Sequence, residues 1–159
     1  MIRIGLVGLG KIAHDQHLPA LAGDSRFSLV AAASHGRPAH GDLPVFHDLD
    51  ELLAQGPAID AVALCTPPQV RRETALTALR AGKHVFLEKP PGVTVGEVNE
   101  LAAVARDQGV VLFTSWHSRF AAGVPKAKAW LAERKLQKLA IEWREDVRRW
   151  HPGQAWIWQ

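Results

Sequence analysis

The sequence contains one cysteine, Cys65, and only a small excess of positive charge, with 19 Lys and Arg against 16 Asp and Glu in 159 residues. One cysteine cannot form an internal disulfide, and a net charge of +3 is too small to indicate a nucleic-acid partner. The apolar runs have only the length of strands, and no basic segment followed by a cleavable apolar stretch opens the chain. We therefore expect a soluble, cytoplasmic protein without a membrane partner.

Short apolar runs alternate with segments of helical period along the first 120 residues. The runs are nearly continuous in apolar residues, as strands buried on both faces of a sheet should be. They lie at 2–8, 28–34, 61–66, 84–89 and 110–115, and helices are expected near 11–22, 48–55, 69–81 and 94–108. Repeated strand–helix–strand units predict an α/β fold with a doubly wound parallel sheet.

Two of the expected helices carry start signals. Asp48 with Glu51, and Thr94 with Glu97, have the spacing of a capping box. These helices should therefore begin at 48 and 94.

The pattern changes after residue 120. A helix is expected at 122–134, and Leu139, Ile141 and Trp143 then alternate with polar residues over 138–146. Such alternation is typical of a half-buried antiparallel strand. The sequence offers this strand no partner, and a lone strand cannot bury its apolar face.

Two domains are expected from this change. Residues 1–120 should form a complete domain, and 121–159 should be the beginning of a second, truncated α+β domain. Because large exposed apolar faces usually become interfaces, we expect a homo-oligomer formed through the C-terminal sheet.

The segment GLVGLGKIA carries the first chemical motif. Gly8, Gly10 and Ala13 occupy the three small-residue positions of a dinucleotide-binding fingerprint, directly after a strand and at the opening of a helix. Gly8 permits the tight turn, Gly10 lets the backbone approach a pyrophosphate, and the helix N-terminus supplies unpaired N–H donors. Lys11 and Ile12 belong to the same predicted site.

The end of the second strand bears on the choice of cofactor. An Asp or Glu usually binds the ribose 2′-hydroxyl of NAD about 20 residues after the glycines, but residues 31–40 contain none. They contain Ser34, His35 and Arg37 instead, and a guanidinium suits a 2′-phosphate. NADP is therefore expected, with NAD as the alternative if Arg37 is only a solvated loop charge.

Four segments together resemble the Gfo/Idh/MocA oxidoreductase family, in the order in which the family has them. They are GLGKIAHDQHLPAL (8–21), CTPPQVR (65–71), LEKPPGVTVGEV (87–98) and WHSRF (116–120). The later segment WREDVRRWHPGQAWIW (143–158) resembles the aldose dehydrogenases of this family, which act on L-arabinose or D-galactose at C1. The resemblance implies oxidation of the anomeric carbon of a sugar to a lactone.

The resemblance also assigns roles to single residues. Lys89 of the EKP tripeptide would project into the substrate site, where an ammonium stabilises the developing oxyanion and relays its proton. The prolines that follow turn the chain away, because a residue before proline disfavours helix. On spacing alone, a lysine at a strand end is usually just exposed.

Further positions follow from the same resemblance at the rim of the sheet. Thr66, Pro67 and Pro68 would lie along the nicotinamide ribose, and Glu88 would belong to the cofactor site. Family members often carry a histidine after this turn, whereas here Val70 and Arg71 follow Gln69, so no role is assigned to that site.

A sugar-binding set is implied downstream. His117 would bind a sugar hydroxyl or simply cap a strand, and Glu145, Trp150 and His151 would face the sugar, since an aromatic face beside polar groups suits a pyranose. Ordinary sheet packing is the alternative for each tryptophan.

The remaining chemical signals are weak. His14 and His17 lie one helical turn apart without further ligands at metal-site spacing, so no metal is expected and His17 is interpreted as a packing residue. Cys65 ends an apolar strand without an evident base and is interpreted as a small buried side chain.

Two other classes of function remain open. A short chain that lacks the family's downstream motif of Asp followed by His or Asn could be a nucleotide-binding module or regulator without catalysis. A methyltransferase can have a similar glycine loop, but the EKP tripeptide and the lack of an acidic residue after the second strand argue against it.

Overall fold

The computed structural model describes residues 1–36 and 40–154, without the side chain of Trp150. The chain divides into two compact units, Met1–Trp116 and a second unit that starts at His117. The first unit contains every strand found in the described residues.

Parallel strands form the centre of the first unit. They are β1 Ile2–Val7, β2 Phe27–Ala33, β3 Val45–Phe46, β4 Ala61–Leu64, β5 His84–Leu87 and β6 Leu112–Thr114. Their order in the sheet is β3-β2-β1-β4-β5-β6, and each neighbouring pair is parallel. The chain order reverses beside β1, which is the doubly wound arrangement that the sequence predicted.

Helices connect these strands. They are α1 Leu18–Ala22, α2 Leu49–Gln55, α3 Pro68–Arg80 and α4 Val95–Asp107. The predicted helix at 11–22 contains a π-helical stretch, Ala13–His17, before α1 begins. Pro19 explains the wider turn, because a proline inside a helix has no N–H to donate and its ring crowds the carbonyl four residues earlier.

The N-caps of the two predicted capping boxes are confirmed, while the carboxylates of Glu51 and Glu97 accept from the amide of the residue before each cap. The Asp48 side chain accepts a hydrogen bond of 2.8 Å from the Glu51 amide, and the Thr94 hydroxyl accepts one of 3.2 Å from the Glu97 amide. These side chains satisfy N–H groups that the first turn of a helix leaves free, so α2 and α4 begin directly after them.

Apolar residues of the strands alternate between two clusters on opposite faces of the sheet. In β4, Val62 and Leu64 join helices α2, α3 and α4 in one cluster, whereas Ala63 and the following Cys65 join α1 in the other. Helices therefore cover both faces of the sheet. The polar residues at the strand ends lie at the edges where the strands begin and end.

Strand β3 has no counterpart among the predicted strands. It forms because Ala32 and Ser34 donate amide hydrogen bonds of 3.0 and 2.9 Å to the carbonyls of Pro44 and Phe46. Two residues are too few to show a period, so only the neighbouring β2 selects this segment as a strand.

The second unit contains helices in its described part. They are a 3₁₀ turn, His117–Phe120, and the helices α5 Val124–Ala132 and α6 Val147–Trp150. The predicted helix at 122–134 is confirmed.

The prediction of a strand over 138–146 is wrong. These residues have no regular secondary structure, and Leu139, Ile141 and Trp143 remain 69–79 % exposed. A strand needs a hydrogen-bonding neighbour, and the described residues of this unit supply none. The C-terminal sheet expected to join subunits is therefore not formed in the described chain, and association itself stays a prediction.

Candidate active site

The glycine loop after β1 has the backbone geometry that its glycines predicted. Gly8 has φ +94°, a conformation that favours glycine, and a Cβ built there would lie 3.1 Å from the Thr66 amide nitrogen. A Cβ on Gly10 would meet no atom within 4 Å, so this glycine faces open space. Ala13 is fully buried, which allows the helical turn to pack closely on the sheet.

A cleft of about 490 Å³ opens beside this loop at the carboxyl ends of β1, β2 and β4. Its lining includes five predicted cofactor residues, Gly8, Ser34, His35, Thr66 and Pro67. The Thr66 Oγ1 is buried and has no hydrogen-bond partner among the described residues. Clefts of this size hold small ligands, and a free buried hydroxyl offers one a polar contact. These residues therefore fit a dinucleotide.

Histidines and an aspartate form a hydrogen-bonded chain at one end of the cleft. His35 Nδ1 lies 3.4 Å from His47 Nε2, and His47 Nδ1 lies 3.2 Å from a carboxylate oxygen of Asp48. A backbone hydrogen bond from Glu51 and then the His47 contact lower the pKa of Asp48. Arg37, predicted beside this site, lies outside the described residues.

The EKP segment follows β5 at the same edge of the sheet, and its glutamate is buried. Glu88 Oε1 lies 2.8 Å from Nε2 of His17, while Glu88 Oε2 accepts a hydrogen bond of 3.0 Å from the Lys89 amide. Both carboxylate oxygens are thus engaged within the protein. The carboxylate holds the backbone of Lys89, and a direct contact of Glu88 with a cofactor stays a prediction.

The pKa of Glu88 is lowered by these contacts. Burial alone raises the pKa of this carboxyl, but hydrogen bonds from His17 and from the Lys89 amide outweigh burial, so the net shift is downward. Glu88 is therefore a carboxylate at neutral pH.

Arg71 of α3 is buried directly beneath the EKP segment, with 2 % of its surface exposed. Its guanidinium donates hydrogen bonds to the backbone carbonyls of Glu88 and Pro90, on either side of Lys89, and to the carbonyl of Thr66. Burial lowers the pKa of Arg71, whereas the charge of Glu88 raises it. The same side chain thus holds the turn after β4 and the turn after β5.

Lys89 combines a fixed backbone with a free side chain. It is exposed, and its ammonium makes no hydrogen bond or ion pair with the rest of the described chain. The peptide bond to Pro90 is cis. A lysine held at this edge can reach a ligand in front of the sheet, as its predicted role requires.

Cys65 lies between these groups and is chemically quiet. It is 9 % exposed, and burial, followed by the charge of Glu88, raises the pKa of its thiol to about 12. Its interpretation as a small buried side chain is confirmed.

Five predicted cofactor residues of the described chain lie outside the lining of the cleft: Gly10 and Glu88, whose surroundings are given above, and Lys11, Ile12 and Pro68. Lys11 is exposed and pairs with Asp15 one turn along, Ile12 is 36 % exposed, and Pro68 is the buried first residue of α3. Their roles stay predictions.

The predicted sugar-binding residues belong to the second unit. His117 opens the 3₁₀ turn and is exposed, Glu145 is exposed, and His151 Nδ1 lies 3.2 Å from the side-chain oxygen of Gln154. Trp150 ends α6, and its side chain lies outside the described part. Their sugar-binding roles stay predictions.

Comparison with known proteins identifies the family. Residues 2–115 match the family model described as "Oxidoreductase family, NAD-binding Rossmann fold". The chain belongs to the Gfo/Idh/MocA oxidoreductase family. The resemblance seen in the sequence motifs is thereby confirmed.

Relatives in the family include sugar dehydrogenases. The chain is 49 % identical to galactose 1-dehydrogenase of Pseudomonas fluorescens, over 99 % of this chain and 51 % of the relative. The crystal structure of D-galactose-1-dehydrogenase from Rhizobium etli is 51 % identical with a TM-score of 0.90, over 99 % of this chain and 51 % of that one.

A more distant family structure contains a bound cofactor. It is the WlbA dehydrogenase from Bordetella pertussis in complex with NADH and UDP-GlcNAcA, which is 30 % identical with a TM-score of 0.74 over 82 % of this chain and 40 % of that one. The chain spans about half the length of the galactose dehydrogenases it matches.

Sequence reasoning missed three residues of this family site. His17 was interpreted as packing and does contact the Phe86 ring, with centroids 5.4 Å apart, but its hydrogen bond to Glu88 was not foreseen. Arg71 was visible only as a departure from the family histidine, and His47 carried no signal. Pairing over such sequence distances leaves no local pattern.

The described part of the chain contains neither a membrane-spanning helix nor a cluster of metal-binding side chains. None of its helices is long and apolar enough to cross a membrane. No group of three or more His, Cys, Asp or Glu side chains within 1–36 and 40–154 could hold a metal ion.

Proposed function

We propose that the full-length protein containing this chain is an NAD(P)-dependent aldose 1-dehydrogenase that oxidises C1 of D-galactose or L-arabinose to a lactone. The identity of 49–51 % with galactose 1-dehydrogenases supports this substrate class. The observation that carries the proposal is Lys89, a free ammonium on a backbone fixed by buried charged groups at the carboxyl edge of the sheet.

The residues of the cleft would hold the cofactor. Gly8 permits the tight turn, Thr66 offers its unpaired hydroxyl, and Ser34 and His35 lie at the end of β2. Gly10, outside the lining of the cleft, would let the backbone approach the pyrophosphate. When bound, the nicotinamide supplies the acceptor for the hydride that leaves C1.

Lys89 would act on the sugar oxygen. As the C1–H bond breaks and its electron pair leaves as hydride, the C1 hydroxyl loses its proton and C1 becomes the carbonyl of the lactone. A nearby ammonium stabilises the negative charge that develops on this oxygen. It can relay the proton by giving one of its own protons to water and taking the hydroxyl proton in its place. The gain is made in the transition state, so Lys89 should govern turnover more than binding.

Residues at the end of β2 favour NADP as the cofactor. No carboxylate follows the strand within 31–40, whereas Ser34, His35 and Arg37 do. In the described residues, His47 adds a second imidazole, and its ring centroid lies 4.8 Å from the ring centroid of His35. A guanidinium and imidazoles suit a 2′-phosphate better than a ribose hydroxyl.

Replacing Lys89 tests the proposed function. In the full-length protein, Lys89→Met should reduce sugar-dependent reduction of NADP by a factor of about 100 or more. The dissociation constant of the cofactor should stay within about twofold of wild type, because the lost interaction belongs to the transition state.

Lys83→Met is the matched control, because Lys83 precedes the same strand at its other end. Its turnover should equal that of wild type. Equal turnover of both variants would remove Lys89 from the chemistry, and absence of any sugar-dependent reduction in the unmodified protein would favour a nucleotide-binding module instead.

A further inference from the structure

A single buried side chain ties the cofactor turn to the proposed catalytic lysine. Arg71 donates to the Thr66 carbonyl on one side and to the carbonyls of Glu88 and Pro90 on the other. Thr66 lines the cleft, and Glu88 and Pro90 flank Lys89. These carbonyls belong to turns that follow different strands, and Arg71 bonds both turns at once.

The peptide unit between Glu88 and Lys89 has both of its polar groups held by charged side chains. Its carbonyl accepts from Arg71, and its N–H donates to the Glu88 carboxylate over 3.0 Å. The Glu88 amide in turn donates to the Leu64 carbonyl at 3.1 Å. The backbone that carries the Lys89 side chain therefore has little freedom while Arg71 is in place.

A guanidinium is suited to this position. It is planar and presents several N–H donors in a fixed fork, so it can bond carbonyls on two segments, and it keeps its charge when buried. The Glu88 carboxylate supplies a negative charge nearby, which offsets the cost of burying the cation.

We propose that Arg71 is a positioning residue that sets the place of Lys89 and couples it to the cofactor turn at Thr66. The inference rests on the proposed function, in which Lys89 acts on the sugar. Arg71 touches neither reactant in this scheme and works through the carbonyls it holds. Its loss should lower turnover through Lys89 and weaken cofactor binding through Thr66, which are two separable effects.

A double-mutant cycle in the full-length protein tests the coupling. Arg71→Met should lower kcat about tenfold or more in the Lys89 background, but less than about twofold when Lys89 is already Met, because the positioned group is then absent. In both backgrounds the dissociation constant of NADPH, measured by fluorescence titration, should rise severalfold. Arg71→Lys, which keeps the charge but not the fork, should fall between wild type and Arg71→Met.

A readout that does not depend on activity is amide hydrogen exchange of peptide 84–92. Exchange at the Lys89 amide should speed up in Arg71→Met, since the Glu88–Lys89 peptide loses a partner. Arg72→Met is the matched control, because Arg72 neighbours Arg71 but pairs with Glu100 at 2.6 and 2.7 Å, on helix α4. It should lower the melting temperature yet leave kcat, the NADPH dissociation constant and the exchange of 84–92 unchanged.

The outcomes separate the two proposals. Equal losses of kcat for Arg71→Met in both Lys89 backgrounds, or wild-type kcat in a folded Arg71→Met protein, would overturn the coupling while leaving the role of Lys89 intact. Wild-type turnover of Lys89→Met would overturn both. If Arg71→Met does not fold, Arg71→Lys is judged by the same criteria in the same cycle.

Discussion

His17 and Glu88 stand 71 positions apart in the chain, yet His17 Nε2 lies 2.8 Å from Glu88 Oε1. Both side chains are largely buried, at 13 % and 11 % exposure. The contact joins the helical turn after the glycine loop to the EKP segment. Through the second oxygen of Glu88, it supports the backbone of Lys89.

Replacing Glu88 should make the free energy of unfolding less dependent on pH in the acid range. The pKa of Glu88 lies below its ordinary value of 4.5 in the folded protein, so its contribution is complete above 4.5 and is lost as the pH falls through the lower, folded pKa. Glu88→Gln should cost about 1–3 kcal/mol at pH 7, because hydrogen bonds to a charged acceptor are lost. Urea unfolding at several pH values measures the difference between variant and wild type.

That difference should be constant from neutral pH to about 5 and should shrink below 4.5. The groups that share this surrounding are His17, Arg71 and Cys65. Glu133→Gln, at an exposed helix end, serves as the control and should change little. A Glu88→Gln cost that does not vary with pH would contradict the prediction.

Alanine substitution of the two glycines of the first loop should affect different properties, namely stability at Gly8 and cofactor affinity at Gly10. Gly8→Ala places a Cβ on a backbone with φ +94° and 3.1 Å from the Thr66 amide nitrogen, so the free protein should lose about 1–3 kcal/mol of stability. Gly10→Ala meets open space and should leave the stability nearly unchanged. Its Cβ would instead occupy the approach to a pyrophosphate, so NADPH affinity should fall.

Thermal unfolding and NADPH titration of both variants check this prediction. The two substitutions control for each other, since they are chemically identical and two residues apart. Similar effects of both variants on stability, or undiminished NADPH affinity in Gly10→Ala, would refute the assignment of the loop.

Cofactor choice should depend on the end of β2. If Ser34, His35 and Arg37 line the 2′-position, NADP should bind more tightly than NAD, by about 1.5–3 kcal/mol of charged hydrogen bonding. Arg37→Ala should remove most of this difference, and His35→Ala part of it, whereas binding of NAD should change little. Calorimetric titration of both cofactors measures the preference.

Arg26→Ala is the control for charge alone, because Arg26 pairs with Asp24 at the other end of β2. It should leave the ratio of the two affinities unchanged. Equal binding of NAD and NADP by the wild-type protein, or unchanged NADP binding by Arg37→Ala, would rule out this assignment.

Local patterns predicted most of the first unit correctly, and the exceptions have identifiable causes. Strand β3 escaped notice because two residues show no period, and a neighbouring strand selects it. The alternation at 138–146 predicted a strand that did not form, because alternation describes a face to be buried and cannot supply the partner that buries it.

The sequence by itself determined the strands β1, β2, β4, β5 and β6, the capped helices and the glycine loop, since each depends on residues close together in the chain. It also placed Lys89 at a strand end through the EKP motif. Only the tertiary structure decided what surrounds that lysine: His17 on Glu88, and Arg71 on three carbonyls of two turns. The physical reason is that a buried charge must find its partners in space, and the parallel sheet brings the carboxyl ends of β4 and β5 together whatever their distance along the chain.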